Sequence, residues 1–242
     1  MRVGKKLVRI PEGLRFSASV VRIDSWSRVP AWDTSGTYND NLFRGTVELR
    51  MENGKLLVIN ELSMEDMLYG LAEISNDVPV EKAKAIIVSA RSYANYYTDP
   101  DHRKFKNGEP YDGSDDPNVF QKYLGYGFES RSPKIREYVN ATRGEVVTYQ
   151  GEPIKTWYFT QSDGRTRSER EWCLANGGSD AACVDTPYLQ SVPDPGSEGK
   201  TRLGHGVGMS GAGATYFAVE KGWDYESILK YFYTGVEVEK IY

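Results

Sequence analysis

The stretch of sequence that decides the fold is residues 78–97, VPVEKAKAIIVSARSYANYY. Apolar residues recur there at helical spacing over four turns, which is the pattern of a helix with one face in the core. They are Ala83, Ile86, Ile87, Ala90, Tyr93, Ala94 and Tyr97. Pro79 suits the first helical position, where its missing N–H costs nothing. The stretch therefore predicts a core helix that begins near Pro79.

The chain before this helix has the patterns of strands. Residues 16–23 and 43–51 are rich in β-branched and aromatic side chains, and residues 55–60 follow the second run across Asn53-Gly54. Asn-Gly between two such runs is the strongest short hairpin signal. Ser63, with Asp66 three residues later, predicts the start of another helix.

The chain after the core helix predicts loops and short elements. Residues 99–131 and 162–208 are rich in turn residues and are expected to be long loops. Between them, Ser132 and Pro133 start a helix that Gly144 ends.

A hairpin of residues 145–149 and 153–160, turning at Gln150-Gly151, follows that helix. Two helices, at about 209–221 and 224–233, and a strand at 236–241 close the chain. Strands and helices mix without regular βαβ alternation, so the predicted class is α+β, a mixed sheet with several packed helices.

Composition excludes several classes of protein. The 242 residues carry 30 basic and 34 acidic side chains, a net charge of −4, which gives no footprint for general nucleic-acid binding. No apolar run approaches the roughly 18 residues of a membrane span. Two cysteines and two histidines are too few for a zinc-finger array or an iron–sulfur site.

The two cysteines lie ten positions apart in a turn-rich stretch. Cys173 and Cys183 either close a disulfide, which implies an oxidising, extracytoplasmic location, or are two free thiols. The first residues carry positive charge but no apolar core, so they are not a secretory signal. We expect either a cytoplasmic protein or an export segment upstream of this chain.

Four blocks of the sequence, in order, resemble one family. The first block, residues 62–97, contains Glu73 and, near its end, Ala90-Arg91-Ser92-Tyr93. The second block, residues 144–166, contains a hairpin and the turn Ser162-Asp163-Gly164. Pro187-Tyr188-Leu189 opens the third block, and GHGVGMSGAGA at residues 204–214 is the fourth and most specific one. These blocks resemble the SpoIID family over about residues 43–242.

The resemblance implies a lytic transglycosylase that cuts the glycan strands of peptidoglycan, with Glu73 as the catalytic acid. One glutamate suffices, because the 6-hydroxyl of the muramic sugar attacks C1 and no second carboxylate has to activate water. On helical geometry alone, Glu73 lies opposite a stripe of Met64, Leu68 and Leu71, which is also where an ordinary solvated glutamate would lie.

The resemblance also indicates residues that bind substrate in a cleft lined by the long loops. Arg91 would pair with Glu73 or a substrate carboxylate; the alternative is an arginine lying over the core. Tyr93, Trp157 and Tyr158 would stack on sugar rings, although most such aromatics belong to the core.

The fourth block contributes His205, Gly206, Met209 and Ser210 to the predicted binding residues. His205 stands between glycines that allow close approach to a ligand, and its alternative is a buried structural role. Ser162, Thr166 and Ser210 would bond sugar hydroxyls, or else cap turns and a helix.

The sequence departs from the family pattern in four places. Ile74-Ser75 stands where the family commonly has an acidic Met-Pro after the glutamate. Asp163 stands in place of a Gly, and Gly211 in place of a Gln. Residues 115–125 lack the Cys and His that some members have there and that could bind zinc. We therefore expect no metal and no cofactor.

The predicted organisation is an N-terminal strand and loop segment, residues 1–42, packed on a catalytic domain of residues 43–242. The expected partners are peptidoglycan glycan strands, with no nucleic acid, and the expected location is the cell envelope. The alternative function is a non-catalytic module that binds peptidoglycan and activates a cell-wall amidase.

Overall fold

The computed structural model describes residues 2, 3, 6, 7, 13–31 and 33–242. Its strands are β1 (Arg2–Val3), β2 (Lys6–Leu7), β3 (Leu14–Ser17), β4 (Val21–Arg22), β5 (Leu42–Phe43), β6 (Thr46–Glu52), β7 (Lys55–Glu61), β8 (Glu145–Tyr149), β9 (Glu152–Pro153), β10 (Tyr158–Phe159), β11 (Met209–Ser210) and β12 (Glu237–Lys240). Its α-helices are α1 (Met64–Tyr69), α2 (Val80–Thr98), α3 (Gly125–Arg131), α4 (Pro133–Ala141), α5 (Glu169–Ala175), α6 (Gly211–Glu220) and α7 (Tyr225–Phe232). The α+β class predicted from the sequence is confirmed.

The chain divides into two compact units. Unit 1 comprises Met1–Ala72 and Ser114–Ser132, and unit 2 comprises Glu73–Gly113 and Pro133–Tyr242. The predicted division into an N-terminal segment, residues 1–42, and a catalytic domain, residues 43–242, stays a prediction.

Unit 1 is built on an antiparallel sheet in the order β3-β6-β7. The predicted Asn53-Gly54 hairpin is confirmed: β6 pairs with β7 up to Glu52↔Lys55, and both turn residues have positive φ, 50° and 76°. Two left-handed residues are what a tight hairpin turn with matching twist requires. Ser63 caps α1 as predicted, accepting from the backbone N–H of Asp66.

Unit 2 is organised around α2. The predicted core helix is confirmed. Pro79 is its N-cap residue and not its first helical residue, so the helix begins at Val80. Residues 85–92 are buried on every side of the helix and not along one stripe, because α4, α6, α7 and β8 all pack against it. A helix surrounded in this way must have its polar side chains satisfied internally.

The polar residues of α2 meet this requirement by tying other segments to the helix. Ser92 donates to the carbonyl of Val88 and accepts the backbone N–H of Val147 in β8, at 2.7 and 2.8 Å. The hydroxyl of Thr156 donates to the Ser89 carbonyl at 2.6 Å. These bonds hold the segment before β10 against the helix.

Two helices lie inside regions that the sequence predicts as loops. These are α3 in residues 99–131 and α5 in residues 162–208. The predicted strand at 153–160 is interrupted, with β9 and β10 at its ends. β8 pairs with β12 and β9, and β10 pairs in parallel with β11. No helix in the described part of the chain is long and apolar enough to cross a membrane.

Candidate functional site

Glu73 lies in the turn between α1 and α2 and is half-buried. Helix α1 ends at Tyr69, so the position of Glu73 opposite a helical stripe, expected from periodicity, is wrong. The side chain of Asn76 anchors this turn by accepting the backbone N–H of Lys134 at 3.2 Å. Glu73 is therefore a half-buried residue in a turn that has one tie to the start of α4.

Arg91 is fully buried in unit 2. Its guanidinium donates to the carbonyl oxygens of Glu145, at 3.0 Å, and Val139, at 3.3 Å. The hydroxyl of Thr142 lies 3.4 Å from the same group. These contacts connect α2 to the end of α4 and the start of β8, so Arg91 has a structural role whatever else it does.

His205 is held by hydrogen bonds on both ring nitrogens. The backbone N–H of Val207 donates to Nδ1 at 3.1 Å, and Nε2 lies 3.0 Å from the carbonyl oxygen of Tyr158. Because Nδ1 accepts, the proton of the neutral ring is on Nε2 and is donated to that carbonyl. Burial, with a smaller contribution from the charge of Arg202, lowers the pKa of His205 to about 4, against the opposing effect of the Tyr158 carbonyl. The ring is therefore uncharged at neutral pH.

Tyr93 and His205, far apart in sequence, meet in an aromatic cluster centred on Trp157. Tyr93 packs edge-on against Tyr97, with ring centroids 4.8 Å apart, and Tyr97 is hydrogen-bonded to Trp157. The Trp157 ring lies 5.1 Å from the His205 ring and 4.9 Å from that of Trp172.

Cationic side chains cover part of this cluster. The Lys104 ammonium lies 5.9 Å from the Tyr93 ring centre and 5.6 Å from that of Tyr97. The Lys155 ammonium lies 4.8 Å from the Trp157 ring centre and pairs with Glu169 at 2.6 Å. Burial, together with Lys155, lowers the pKa of Lys104. The cluster thus combines half-buried rings with positive charge, a surface suited to polar ligands with apolar faces.

The hydroxyls of Ser162 and Thr166 are buried and engaged internally. Ser162 donates to Asp194 Oδ2 at 2.6 Å, and Thr166 Oγ1 accepts the backbone N–H of Val192 at 2.9 Å. Both residues have no exposed surface. The structure thus shows them joining two loop segments, as in the turn-capping alternative, while their contact with sugar stays a prediction.

The backbone of the fourth block, residues 204–214, supports the aromatic cluster. Met209 is fully buried, and its backbone N–H donates to the Trp157 carbonyl at 3.0 Å. Ser210 caps α6, since its hydroxyl accepts the backbone N–H of Gly213 at 3.1 Å. Gly206, with φ of 88°, is also buried, and its carbonyl accepts the Arg167 backbone N–H at 2.7 Å.

Cys173 and Cys183 form a disulfide, with their Cα atoms 5.5 Å apart. Cys173 belongs to α5, and the bridge closes the loop that follows this helix. Gly178 lies inside the loop, and a Cβ there would come within 2.5 Å of both sulfur atoms. The glycine is therefore needed where the chain passes over the bridge.

Sequence reasoning missed Asp194 and Trp172. Asp194 is fully buried; its Oδ2 accepts from Ser162, and its Oδ1 has no hydrogen-bond partner in the described part of the chain. Nothing in the sequence separates it from the other acidic residues of its loop. Trp172 had one available signal, the pattern Ser168-x-x-Glu171, which forms a full capping box at the start of α5.

Metal ligands do not gather in the described residues: no group of three or more His, Cys, Asp and Glu side chains there could hold a metal ion. The expectation that the protein uses no metal stays a prediction.

Known proteins resemble this chain over part of its length. The family model SpoIID, Stage II sporulation protein, matches residues 52–149, a range that includes Glu73, Arg91 and Tyr93. An uncharacterized protein of Brachyspira hyodysenteriae is 31% identical over 158 residues, 64% of this chain and 39% of that protein.

Two relatives have names that state the family. Stage II sporulation protein D of Bacillus subtilis is 32% identical over 91 residues, 34% of this chain and 24% of the relative. Stage II sporulation protein D of Bacillus amyloliquefaciens is 28% identical over 159 residues, which are 57% of this chain and 40% of the relative. The matched part spans less than half the length of each of these three relatives. The resemblance to the SpoIID family seen in the sequence is thus supported over residues 52–149 of this chain.

Proposed function

We propose that this protein is a lytic transglycosylase that cleaves the bond between N-acetylmuramic acid and N-acetylglucosamine in peptidoglycan, with Glu73 as its single acid and base. One observation carries the proposal: the region matched by the SpoIID model contains Glu73 as a half-buried residue in the turn between α1 and α2. A glutamate that is not enclosed in the core can bring its carboxyl to a substrate oxygen, as a general acid must.

In the proposed reaction, the Glu73 carboxyl first protonates the glycosidic oxygen, and the bond from that oxygen to C1 of the muramic sugar breaks. The 6-hydroxyl oxygen of the same sugar then bonds to C1 and gives its proton to the Glu73 carboxylate. The products are a 1,6-anhydromuramic end and a free hydroxyl on the leaving sugar. Protons and bonds balance, and Glu73 returns to its starting state.

The state of His205, the one histidine among the predicted site residues, supports a single acid–base residue. His205 is uncharged at neutral pH and uses both ring nitrogens in internal hydrogen bonds. We assign it, with Gly206, Met209 and Ser210, to holding the cluster around Trp157. Tyr93 belongs to the same cluster, whose rings we propose as the surface that meets sugar.

The buried polar residues are proposed as positioning residues. Arg91 fixes α2, at whose N-terminal end the Glu73 turn lies, to α4 and β8. Ser162 and Thr166 hold the loops around Asp194 and Val192. Their internal bonds leave direct contact with the glycan to more exposed neighbours.

A location outside the cytoplasm accords with this function. The Cys173–Cys183 disulfide is of the kind that persists in oxidising compartments. We propose the cell envelope as the place of action.

The second candidate is a module that binds peptidoglycan and activates an amidase. The burial of Ser162, Thr166 and Ser210 favours it, because a site with few free hydroxyls has fewer groups to direct a glycosidic oxygen toward the acid.

The two candidates are separated by one incubation with two readouts. Purified glycan strands, with or without stem peptides, are treated with the protein and analysed by mass spectrometry for 1,6-anhydromuramic ends. An amidase is assayed in parallel for acceleration. New anhydro ends without the amidase support the transglycosylase. Acceleration of the amidase without anhydro ends overturns it in favour of the second candidate.

A further inference from the structure

A pocket of about 370 Å³ opens beside α5 in unit 2. It is lined by α5, with Trp172 in the wall, and by the C-cap residue Asn176. Two arginines complete the lining: Arg167, directly before the N-cap of α5, and Arg202 from a later loop. We call it the arginine pocket. Its volume lies within the roughly 300–1,000 Å³ of small-molecule sites. Trp172 also touches Trp157, so the pocket adjoins the aromatic cluster.

The arginine pocket has an excess of positive charge. Arg202 is exposed and has no hydrogen bond or ion pair within the described part of the chain, although its charge helps to lower the pKa of Asp163. Arg167 pairs with Asp163 at 2.8 Å. The carboxylate in the wall, Glu171, is occupied by Arg165, at 2.9 and 3.1 Å, and by the backbone N–H of Ser168. Arg202 is therefore the group available to a negatively charged ligand.

A glycine brings the two arginines together. A Cβ at Gly206 would lie 3.1 Å from Arg202 Cδ and 3.3 Å from Arg167 Cγ. Gly206 also has a φ of 88°, which side chains rarely adopt. Both arginine stems thus pass over the bare backbone of Gly206, which fixes where their guanidinium groups emerge.

The part of the wall that α5 forms is held at both ends of the helix. Helix α5 begins with the capping box of Ser168 and Glu171, and the Asn176 side chain donates to the Trp172 carbonyl at 2.7 Å. The disulfide from Cys173 to Cys183 holds the chain that follows. A pre-formed wall lowers the entropy lost when a ligand is ordered against it.

We propose that the arginine pocket binds a sugar that carries a carboxylate, with the ring against Trp172 and the carboxylate on Arg202. A planar guanidinium matches a carboxylate with two parallel hydrogen bonds, and an indole face accepts the apolar side of a ring. The choice of sugar rests on the proposed function: in a glycan strand this ligand is the muramic residue, through its own lactyl group or through a stem-peptide carboxylate attached to it.

The test compares ligands that differ in the carboxylate. The full chain is titrated with N-acetylglucosamine, N-acetylmuramic acid and N-acetylmuramoyl dipeptide, and NMR follows the indole N–H of Trp172, assigned by its loss in Trp172→Phe. We expect N-acetylmuramic acid to bind about tenfold more tightly than N-acetylglucosamine, as one charge-assisted contact gives. Stronger binding of the dipeptide would identify the stem carboxylate as the preferred group.

Two variants make the test specific. Arg202→Gln is expected to abolish the preference for the acidic sugars, whereas Arg143→Gln, which removes an exposed arginine of the same unit, preserves it. Equal affinity for the neutral and acidic sugars, or a preference that survives Arg202→Gln, overturns the inference.

Different results would overturn the pocket assignment and the proposed function. Anhydromuramic ends produced by a protein that does not prefer acidic sugars contradict the pocket assignment alone. A preference that depends on Arg202, in a protein that forms no such ends, contradicts the transglycosylase and leaves the pocket standing.

Discussion

The Nε2 atom of His205 lies 3.0 Å from the carbonyl oxygen of Tyr158, while its Nδ1 atom accepts the N–H of Val207. The two bonds fix a neutral imidazole in one tautomer beside the ring of Trp157. The ring thus fastens the loop of residues 204–208 to β10.

The neutral ring predicts a loss of stability in mild acid. The pKa of His205 is lowered to about 4, from about 6.5 in the unfolded chain, so between these pH values the unfolded state binds more protons. Stability contributed by the neutral ring is complete above about pH 6.5 and falls as pH drops toward 4, by about 3 kcal/mol at most. Urea unfolding at several pH values measures this.

His205→Gln is the matched variant, because an amide can also accept and donate but does not titrate. Its free energy of unfolding should fall less steeply than that of the wild type between pH 6.5 and 4. Parallel curves for the two proteins would show that His205 is not held neutral.

Gly208 is predicted to tolerate no side chain. A Cβ there would lie 2.0 Å from the carbonyl oxygen of Trp157. The same carbonyl oxygen accepts the backbone N–H of Met209, the residue that follows Gly208. Gly208→Ala should cost about 3 kcal/mol or more, because a backbone clash adds to the roughly 1–2 kcal/mol of a left-handed φ. Thermal and urea denaturation measure the change.

Gly222→Ala isolates the backbone contribution. Gly222 has a similar φ, 64°, and a Cβ added there would meet nothing within 4 Å. Its alanine variant should lose about 1–2 kcal/mol. If Gly208→Ala were as stable as Gly222→Ala, the backbone that contacts Trp157 would be able to shift and accept the added Cβ.

Arg91 is predicted to stabilise unit 2. Arg91→Met keeps the length of the side chain but leaves the buried carbonyls of Val139 and Glu145 without this donor. At about 1–3 kcal/mol for each of the two unsatisfied carbonyls, the loss should be about 2–6 kcal/mol in urea unfolding.

The exposed Arg143 provides the comparison for Arg91. Arg143→Met should change stability by no more than about 0.5 kcal/mol. An Arg91→Met protein of wild-type stability that forms no anhydro ends would assign Arg91 to the substrate and not to the scaffold.

Local patterns predicted the elements that local chemistry stabilises. The Asn53-Gly54 turn, the Ser63 cap and the long helix α2 were predictable because their signals lie within a few residues. Helix α3 was not, because its glycines suit close packing: a Cβ at Gly125 would lie 2.5 Å from the Leu42 carbonyl, and one at Gly127 would lie 2.9 Å from Asp40 Oδ1. A helix that depends on distant neighbours leaves no local pattern.

The site follows the same rule. The resemblance to a family supplied Glu73, but burial of Ser162 depends on Asp194, 32 positions later. The arginine pocket depends on Gly206 bringing together Arg167 and Arg202, which no spacing in the sequence reveals. Long-range partners decide which hydroxyls and charges remain available to a ligand.

The most direct test of the central claim measures the yield of 1,6-anhydromuramic ends from purified glycan strands treated with Glu73→Gln. The controls are the wild type and Asp77→Asn, which changes an exposed carboxylate residue in the same connection between α1 and α2. We predict that Glu73→Gln lowers the rate by about 10²–10⁴-fold, as loss of a general acid does, in a protein that remains folded, and that Asp77→Asn keeps the wild-type rate. Anhydro ends formed by Glu73→Gln at the wild-type rate would contradict the assignment of Glu73.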